Sequence, residues 1–144
     1  MWTAGASPAY GPSMMTAGYS GKPLATKLGI KDGSRTLVIG APDGFALGAP
    51  HHVRAGTRPY DVVLLFCPDR ATLRRRWEPA LDHTATDGAL WIAWPKRASG
   101  VPTDLTENVV RDFALPHGVV DVKVAAVDQT WSGLKLVRRL ANRA

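Results

Sequence analysis

Two runs of the chain are apolar almost without interruption, Asp61-Val62-Val63-Leu64-Leu65-Phe66-Cys67 and Ala89-Leu90-Trp91-Ile92-Ala93-Trp94. Runs of that length bounded by turn residues predict strands covered on both faces. Arg35-Thr36-Leu37-Val38-Ile39-Gly40 repeats the pattern in shorter form. Pro95 closes the third buried strand, because proline has no ladder donor. Between Phe45 and Pro59 the breakers Gly48, Pro50, Gly56 and Pro59 exclude a full helix and leave one helical turn and an edge strand near Val53. Residues 119–127 and 134–138 read as two further strands, joined through Asp128-Gln129-Thr130-Trp131-Ser132-Gly133.

The helices carry a different period. After Pro68-Asp69, the residues Leu73, Trp77 and Leu81 recur at four-residue spacing, and the helix ends near His83. Pro79 inside it is expected to bend or restart it. Asp104 and Glu107 form a capping box for a later helix with the stripe Leu105, Val109 and Phe113, stopped by Pro116 and Gly118. A short helix fits 23–29, with Pro23 at its first position and Gly29 as its cap. Strands alternating with helices imply a parallel sheet with right-handed crossovers, and the short final connection makes the last pair antiparallel. The expected fold is therefore α/β: a three-layer, Rossmann-like sandwich on about five strands.

Length and charge narrow this picture. A chain of 144 residues with 45% apolar content supports one sizeable core. One domain over 18–144 is expected, after a disordered tail over 1–17 that contains no charged side chain. The single Cys67 forms no internal disulfide, and no stretch reaches the length of a membrane span, so a cytoplasmic protein with no membrane partner is expected. The net charge of +6 favours phosphate-bearing or acidic partners without naming one. Its arginines and lysines are scattered, which fits solvated faces as well as a nucleic-acid surface.

In a parallel sheet, ligands sit outside the carboxyl ends of the strands. That rule gathers Gly40, Asp43 and Gly44 after the first strand, Asp69 after the second, and Lys96, Arg97 and Ser99 after the third. Asp128 and Trp131 join them if the fourth strand is also parallel. Each has a structural alternative. Gly40-Ala41-Pro42-Asp43-Gly44 lacks the glycine spacing and lysine-serine ending of a phosphate loop and is explained by a tight turn, with Asp43 bonding its own backbone. Lys96 and Arg97 bind an anion or merely solubilise a loop. Trp131, read as a loop residue, stacks on a ligand ring or lies over the core. Trp91 and Trp94, three apart in a strand, point to opposite faces. His51-His52 lacks further ligands at metal spacing, so no metal is expected. Cys67 reads as a small buried apolar residue, and Ser20 and Ser99 lack a nucleophile-elbow context.

The order of elements, with Leu37-Val38-Ile39-Gly40 as first strand and cofactor loop, resembles the class I methyltransferase fold with its second and third strands reduced. That resemblance implies adenosylmethionine as cofactor. Pro42 in the glycine loop and the absence of a legible second strand ending in an acid depart from the pattern, so no cofactor is expected. The segments Ala17-Gly18-Tyr19-Ser20-Gly21-Lys22-Pro23-Leu24, Ala93-Trp94-Pro95-Lys96, Asp104-Leu105-Thr106, Val120-Asp121-Val122-Lys123-Val124 and Thr130-Trp131-Ser132-Gly133-Leu134-Lys135 resemble an uncharacterised family of small proteins of high-GC Gram-positive bacteria. It implies a compact Rossmann-like fold and no particular reaction. Since no matched acid, base and nucleophile are visible, the expected function is a non-catalytic module that binds an anionic small molecule or a protein partner. The alternatives are a degenerate methyltransferase-like or nucleotide-using transferase built on Asp43, Lys96 and Asp128, and an RNA-binding accessory protein in which Trp131 stacks on a base.

Overall fold

The computed structural model describes residues 22–140; the tail expected over 1–17 and Gly18 to Gly21 of the family motif lie outside the described residues. Five strands, β1 (Thr36–Ile39), β2 (Tyr60–Phe66), β3 (Thr84–Pro95), β4 (Val119–Ala126) and β5 (Trp131–Arg138), form one mixed sheet. Three helices accompany it: α1 (Leu24–Lys27), α2 (Arg70–His83) and α3 (Glu107–Ala114). The spatial order is β1-β2-β3-β5-β4. The first three strands are parallel, and β5 runs antiparallel to both β3 and β4. It follows that β4 points the same way as β3, and that four strands end at one edge.

The apolar runs become central strands because both their faces are covered. Every residue of β2 except Asp61 is buried, and Trp91 and Trp94 of β3 lie in separate clusters on opposite faces, both buried. On the helix side, Leu73, Trp77 and Ala80 of α2 and Val110 and Ala114 of α3 pack on Leu37, Val63, Leu65, Leu90, Ile92, Leu134 and Leu136. On the other side, Leu28, Leu47 and Val127, with the partly buried Phe45, Ile30 and Trp131, cover Val38, Leu64, Phe66, Trp91 and Ala93.

Several local expectations need correction. Strand β3 begins at Thr84, directly after α2, rather than at Ala89; an irregularity between Tyr60 and Val62 takes up the extra residues. Pro79 neither breaks nor restarts α2, which runs from Arg70 to His83; Pro79 lies on its exposed side. The helix is closed instead by Arg138, whose guanidinium donates to the carbonyls of Leu81, Thr84 and Ala85 at 2.8, 2.9 and 2.9 Å. The cap of α3 is Thr106, which accepts from Val109 N–H at 3.2 Å, and not Asp104. Asp104 turns to α2 and accepts from Arg70 N–H at 2.8 Å. The later start of α3 brings Val110 and Ala114 to the centre of its buried face and leaves Val109 and Phe113 only partly buried. Near Val53 there is a single bridge, Leu37 with His52, rather than a strand, and no helical turn forms over 45–59.

Candidate binding site at the carboxyl edge of the sheet

The turn after β1, Asp69 after β2, Lys96 and Arg97 after β3, and Asp128 after β4 lie at the same edge of the sheet. Lys96 N–H donates to Thr130 O at 2.8 Å and ties two of these loops together. The sheet nonetheless divides the candidates between two clefts. A helix-side cleft of about 600 Å³ is lined by Trp94, Lys96, Arg97, Thr103, Thr106 and Glu107, among others. A loop-side cleft of about 410 Å³ is lined by Lys22, Lys27, Gly44, Phe45, Val127 and Asp128.

In the helix-side cleft, the segment Arg97–Ser99 forms a single 3-10 turn ending at Gly100. Ser99 builds that turn: its hydroxyl donates to Lys96 O at 2.7 Å and accepts from Val101 N–H at 3.2 Å. The turn holds Lys96 half-buried and Arg97 exposed. Neither side chain has a hydrogen-bond or ion-pair partner among the described residues. Across the cleft, Glu107 pairs with Arg111, which also reaches Asp121 at 2.8 Å. That guanidinium holds the Asp121 carboxyl below its usual range. The wall opposite Lys96 is therefore the N-terminus of α3 with its one carboxylate already paired.

The loop-side cleft has a different character. Asp128 Oδ1 accepts the N–H groups of Thr130 and Trp131, both at 2.8 Å, so this carboxylate closes the β4–β5 turn. The closure makes Trp131 the first residue of β5, opposite Pro95, and corrects its reading as a loop residue. Its half-buried ring packs edge-on against Phe66, centroids 5.0 Å apart, and Phe66 packs on Phe45 at 4.9 Å. Trp131 thus belongs to the cover of the core.

Gly40 has φ of +74°, and a Cβ there would lie 2.8 Å from Arg76 Nη1 and 3.3 Å from Phe66 O. The space that a glycine leaves at the end of β1 is filled by a guanidinium from α2. Asp43 is exposed and has no partner among the described residues. Asp69 caps α2 by accepting from Thr72 N–H at 2.8 Å, and that bond lowers its carboxyl pKa. Burial pushes the Cys67 thiol up to about 12, against the opposing pull of Arg76, so it stays protonated near neutrality. His51 Nδ1 donates to Ala49 O, and His52 Nδ1 bonds Tyr60 Oη at 2.7 Å. Among the described residues no three His, Cys, Asp or Glu side chains are grouped to hold a metal ion. Nor is any described helix long and apolar enough to cross a membrane.

The structure therefore brings Lys96 and Arg97 together in one cleft and Gly44 and Asp128 in another, and it assigns Ser99, Asp69 and one oxygen of Asp128 to structural bonds. The sequence pattern misses Arg76, whose helical position one residue before the buried Trp77 is the signal that turns it toward the sheet. It also misses Phe45, an aromatic in the breaker-rich stretch.

No family model matches the chain, and no curated protein matches it. Among solved structures it is similar to the B. subtilis M1A22 tRNA methyltransferase TrmK, with a TM-score of 0.51 and 13% identity over 82% of this chain. The chain spans 66% of that protein. At this identity the likeness is one of fold: an α/β chain with a mixed sheet, arranged as in a methyltransferase.

Proposed function

We propose that the chain is a three-layer, Rossmann-like module of the cytoplasm that holds an anionic small molecule at the Lys96–Arg97 turn and performs no methyl transfer. The observation that carries this reading is the pair of unpartnered cations facing the α3 N-terminus across a cleft of about 600 Å³. Exposed backbone donors at a helix start and two nearby cations are a favourable setting for phosphate or carboxylate. The residues present do not fit adenosylmethionine in the manner of a class I methyltransferase. Arg76 fills the space beside Gly40, and only one bridge, not an acid-bearing strand, stands between β1 and β2 in the chain. The reading therefore uses no cofactor.

Calorimetry and thermal shift with inorganic phosphate, ATP, coenzyme A, adenosylmethionine and adenosylhomocysteine test it. An anion that raises the melting temperature, with affinity reduced at least about tenfold in Lys96→Ala/Arg97→Ala, is the expected result. Absence of binding by all of them, or binding untouched by the double variant, overturns it. The likeness to a tRNA methyltransferase favours a second reading, a methyltransferase-like enzyme. Tight binding of adenosylmethionine that survives loss of Lys96 and Arg97 selects that reading.

A further inference from the structure

Five arginines of the described residues stand together away from both clefts. We infer that the β1 edge of the sheet is a nucleic-acid surface that grips the phosphate backbone of a single strand through the exposed Arg54, Arg58 and Arg75, flanked by Arg35 and Arg76. β1 is an edge strand, and Arg35 stands just before it while Arg76 of α2 reaches Gly40 just after it. The distance covered, five residues of extended chain, is about 16 Å. Arg75 precedes Arg76 on the exposed side of α2. Arg54 and Arg58 lie in the 51–59 loop, which is joined to β1 through the bridge between Leu37 and His52.

Two independent features point to a polyanion. The guanidinium groups of Arg54, Arg58, Arg75 and Arg76 make no hydrogen bond or ion pair among the described residues. Of the nearby carboxylates, Asp61 is engaged with Arg35 N–H at 2.8 Å, and Asp69, within electrostatic reach of Arg75, is engaged in capping α2 at 2.8 Å. The loop is also held in shape although all of residues 51–59 are exposed. Tyr60, fully buried, bonds Gly56 N–H at 2.8 Å and His52 at 2.7 Å. Arg35 donates to Pro59 O at 3.0 Å and Arg58 O at 3.2 Å, and its guanidinium lies 4.5 Å over the Tyr60 ring. A loop that buries nothing yet is fixed at four points presents its arginines in a preorganised array. The basic side chains here are all arginines, whose planar forks match phosphate oxygens in pairs. His51 and His52, exposed in the same loop, supply rings on which unstacked bases can lie. A membrane surface is disfavoured because Val53 is the one large apolar side chain exposed in this loop.

Fluorescence anisotropy with a labelled 20-nucleotide single strand, as RNA and as DNA, tests the inference across salt concentrations. Neutralising about three phosphates gives a slope of log K on log salt near −2, or about 20-fold weaker binding at 200 than at 50 mM salt. Arg54→Gln/Arg58→Gln should flatten that slope by about 1.4, and Arg75→Gln by about 0.7, with melting temperatures unchanged. Lys96→Ala/Arg97→Ala should leave it as it is, which separates this surface from the anion cleft. Preference for the RNA strand identifies 2′-hydroxyl recognition, and equal binding identifies backbone recognition alone; both support the inference. It is overturned by no binding at 50 mM salt, by an unchanged slope in both arginine variants, or by polyglutamate or phosphatidylserine vesicles binding as tightly with the same slope.

Discussion

The two faces of the sheet are covered by different means. On the helix side the cover is α2 and α3, whose own backbone bonds hold them and whose inward residues follow helical spacing. On the other side the cover is the four-residue α1 and the irregular 40–50 stretch. What fixes that side is a set of contacts between residues distant in sequence. Trp91 Nε1 donates to Leu28 O at 3.1 Å, 63 positions away. Phe45 packs on Phe66, and Phe66 on Trp131. A cover whose own hydrogen bonds are confined to one short helix and a few turns depends on these contacts to stay in place, so the loop side is the first to open and the helix side the last.

The strongest way to break this comparison is to remove Trp91. Trp91→Ala should cost about 3–5 kcal/mol of unfolding free energy in urea titrations. Native-state hydrogen exchange should then show residues 22–50 losing protection before α2 and α3. Simultaneous loss on both sides would refute the unequal cover. A milder pair of substitutions sharpens it. Trp91→Phe leaves a buried carbonyl of Leu28 without its donor and should cost about 1–3 kcal/mol. Trp77 on the helix side is equally buried, but its Nε1 has no hydrogen-bond partner. Trp77→Phe removes an unsatisfied donor, so it should cost less than Trp91→Phe.

Gly133 tests the same loop-side packing from the opposite direction, by overfilling it. A Cβ at this position would lie 3.1 Å from Trp91 Cε3 and 3.2 Å from Val127 Cγ2. Gly133→Ala should cost about 1–3 kcal/mol, measured by chemical unfolding, because the tryptophan is already fixed by its bond to Leu28.

The contrast between faces is also a contrast in what the sequence discloses. The parallel β1, β2 and β3 and the helix α2 were legible because their signals are local: unbroken apolar runs, four-residue spacing, Asp69 as a cap. The edge gathered by the strand ends was legible for the same reason, since strand direction follows from the connections. What was not legible depends on tertiary partners. Asp104 looks like a cap for α3 because of Glu107 three residues on, and only the approach of α2 shows why Thr106 takes that role. Trp131 looks like a loop residue until Asp128 closes the turn beneath it. Arg76 beside Gly40, and the pinning of the 51–59 loop by Tyr60 and Arg35, join residues from separate elements. No periodicity records such meetings.

Alkaline pH should weaken the helix side through Cys67, which lies in that cluster. The unfolded thiol titrates at its ordinary value near 9, whereas the native one is held up to about 12 by burial. Above about pH 9 the unfolded chain therefore binds fewer protons than the folded one, and stability falls as pH rises toward 12. The slope from this group reaches about 1.4 kcal/mol per pH unit. Comparing urea midpoints of the wild type and Cys67→Ala between pH 8 and 10.5 checks it. The variant should show a shallower decline, and parallel declines would assign the effect to other groups.

The smallest expected effect connects the helix side to the candidate site. Asp104 accepts from Arg70 N–H at the start of α2, and its neighbours Thr103, Leu105 and Thr106 line the cleft that holds Lys96 and Arg97. Thr103 is itself fixed by its hydroxyl, which donates to Pro68 O at 2.7 Å and accepts from Leu105 N–H at 3.1 Å. Asp104→Ala should cost about 1 kcal/mol, the ordinary loss for a capping acceptor, while Asp104→Asn keeps an acceptor and should cost a few tenths. Because the lost bond lets the 103–106 wall move relative to α2, Asp104→Ala should also weaken anion binding at Lys96 and Arg97, and Asp104→Asn should not. A helix cover that positions a ligand wall predicts this coupling between stability and affinity. If both variants bind phosphate as the wild type does, the wall is held by Thr103 and by the Arg70 side chain on Asp104 O at 3.3 Å, and the Asp104 carboxylate contributes a cap but no shape to the site.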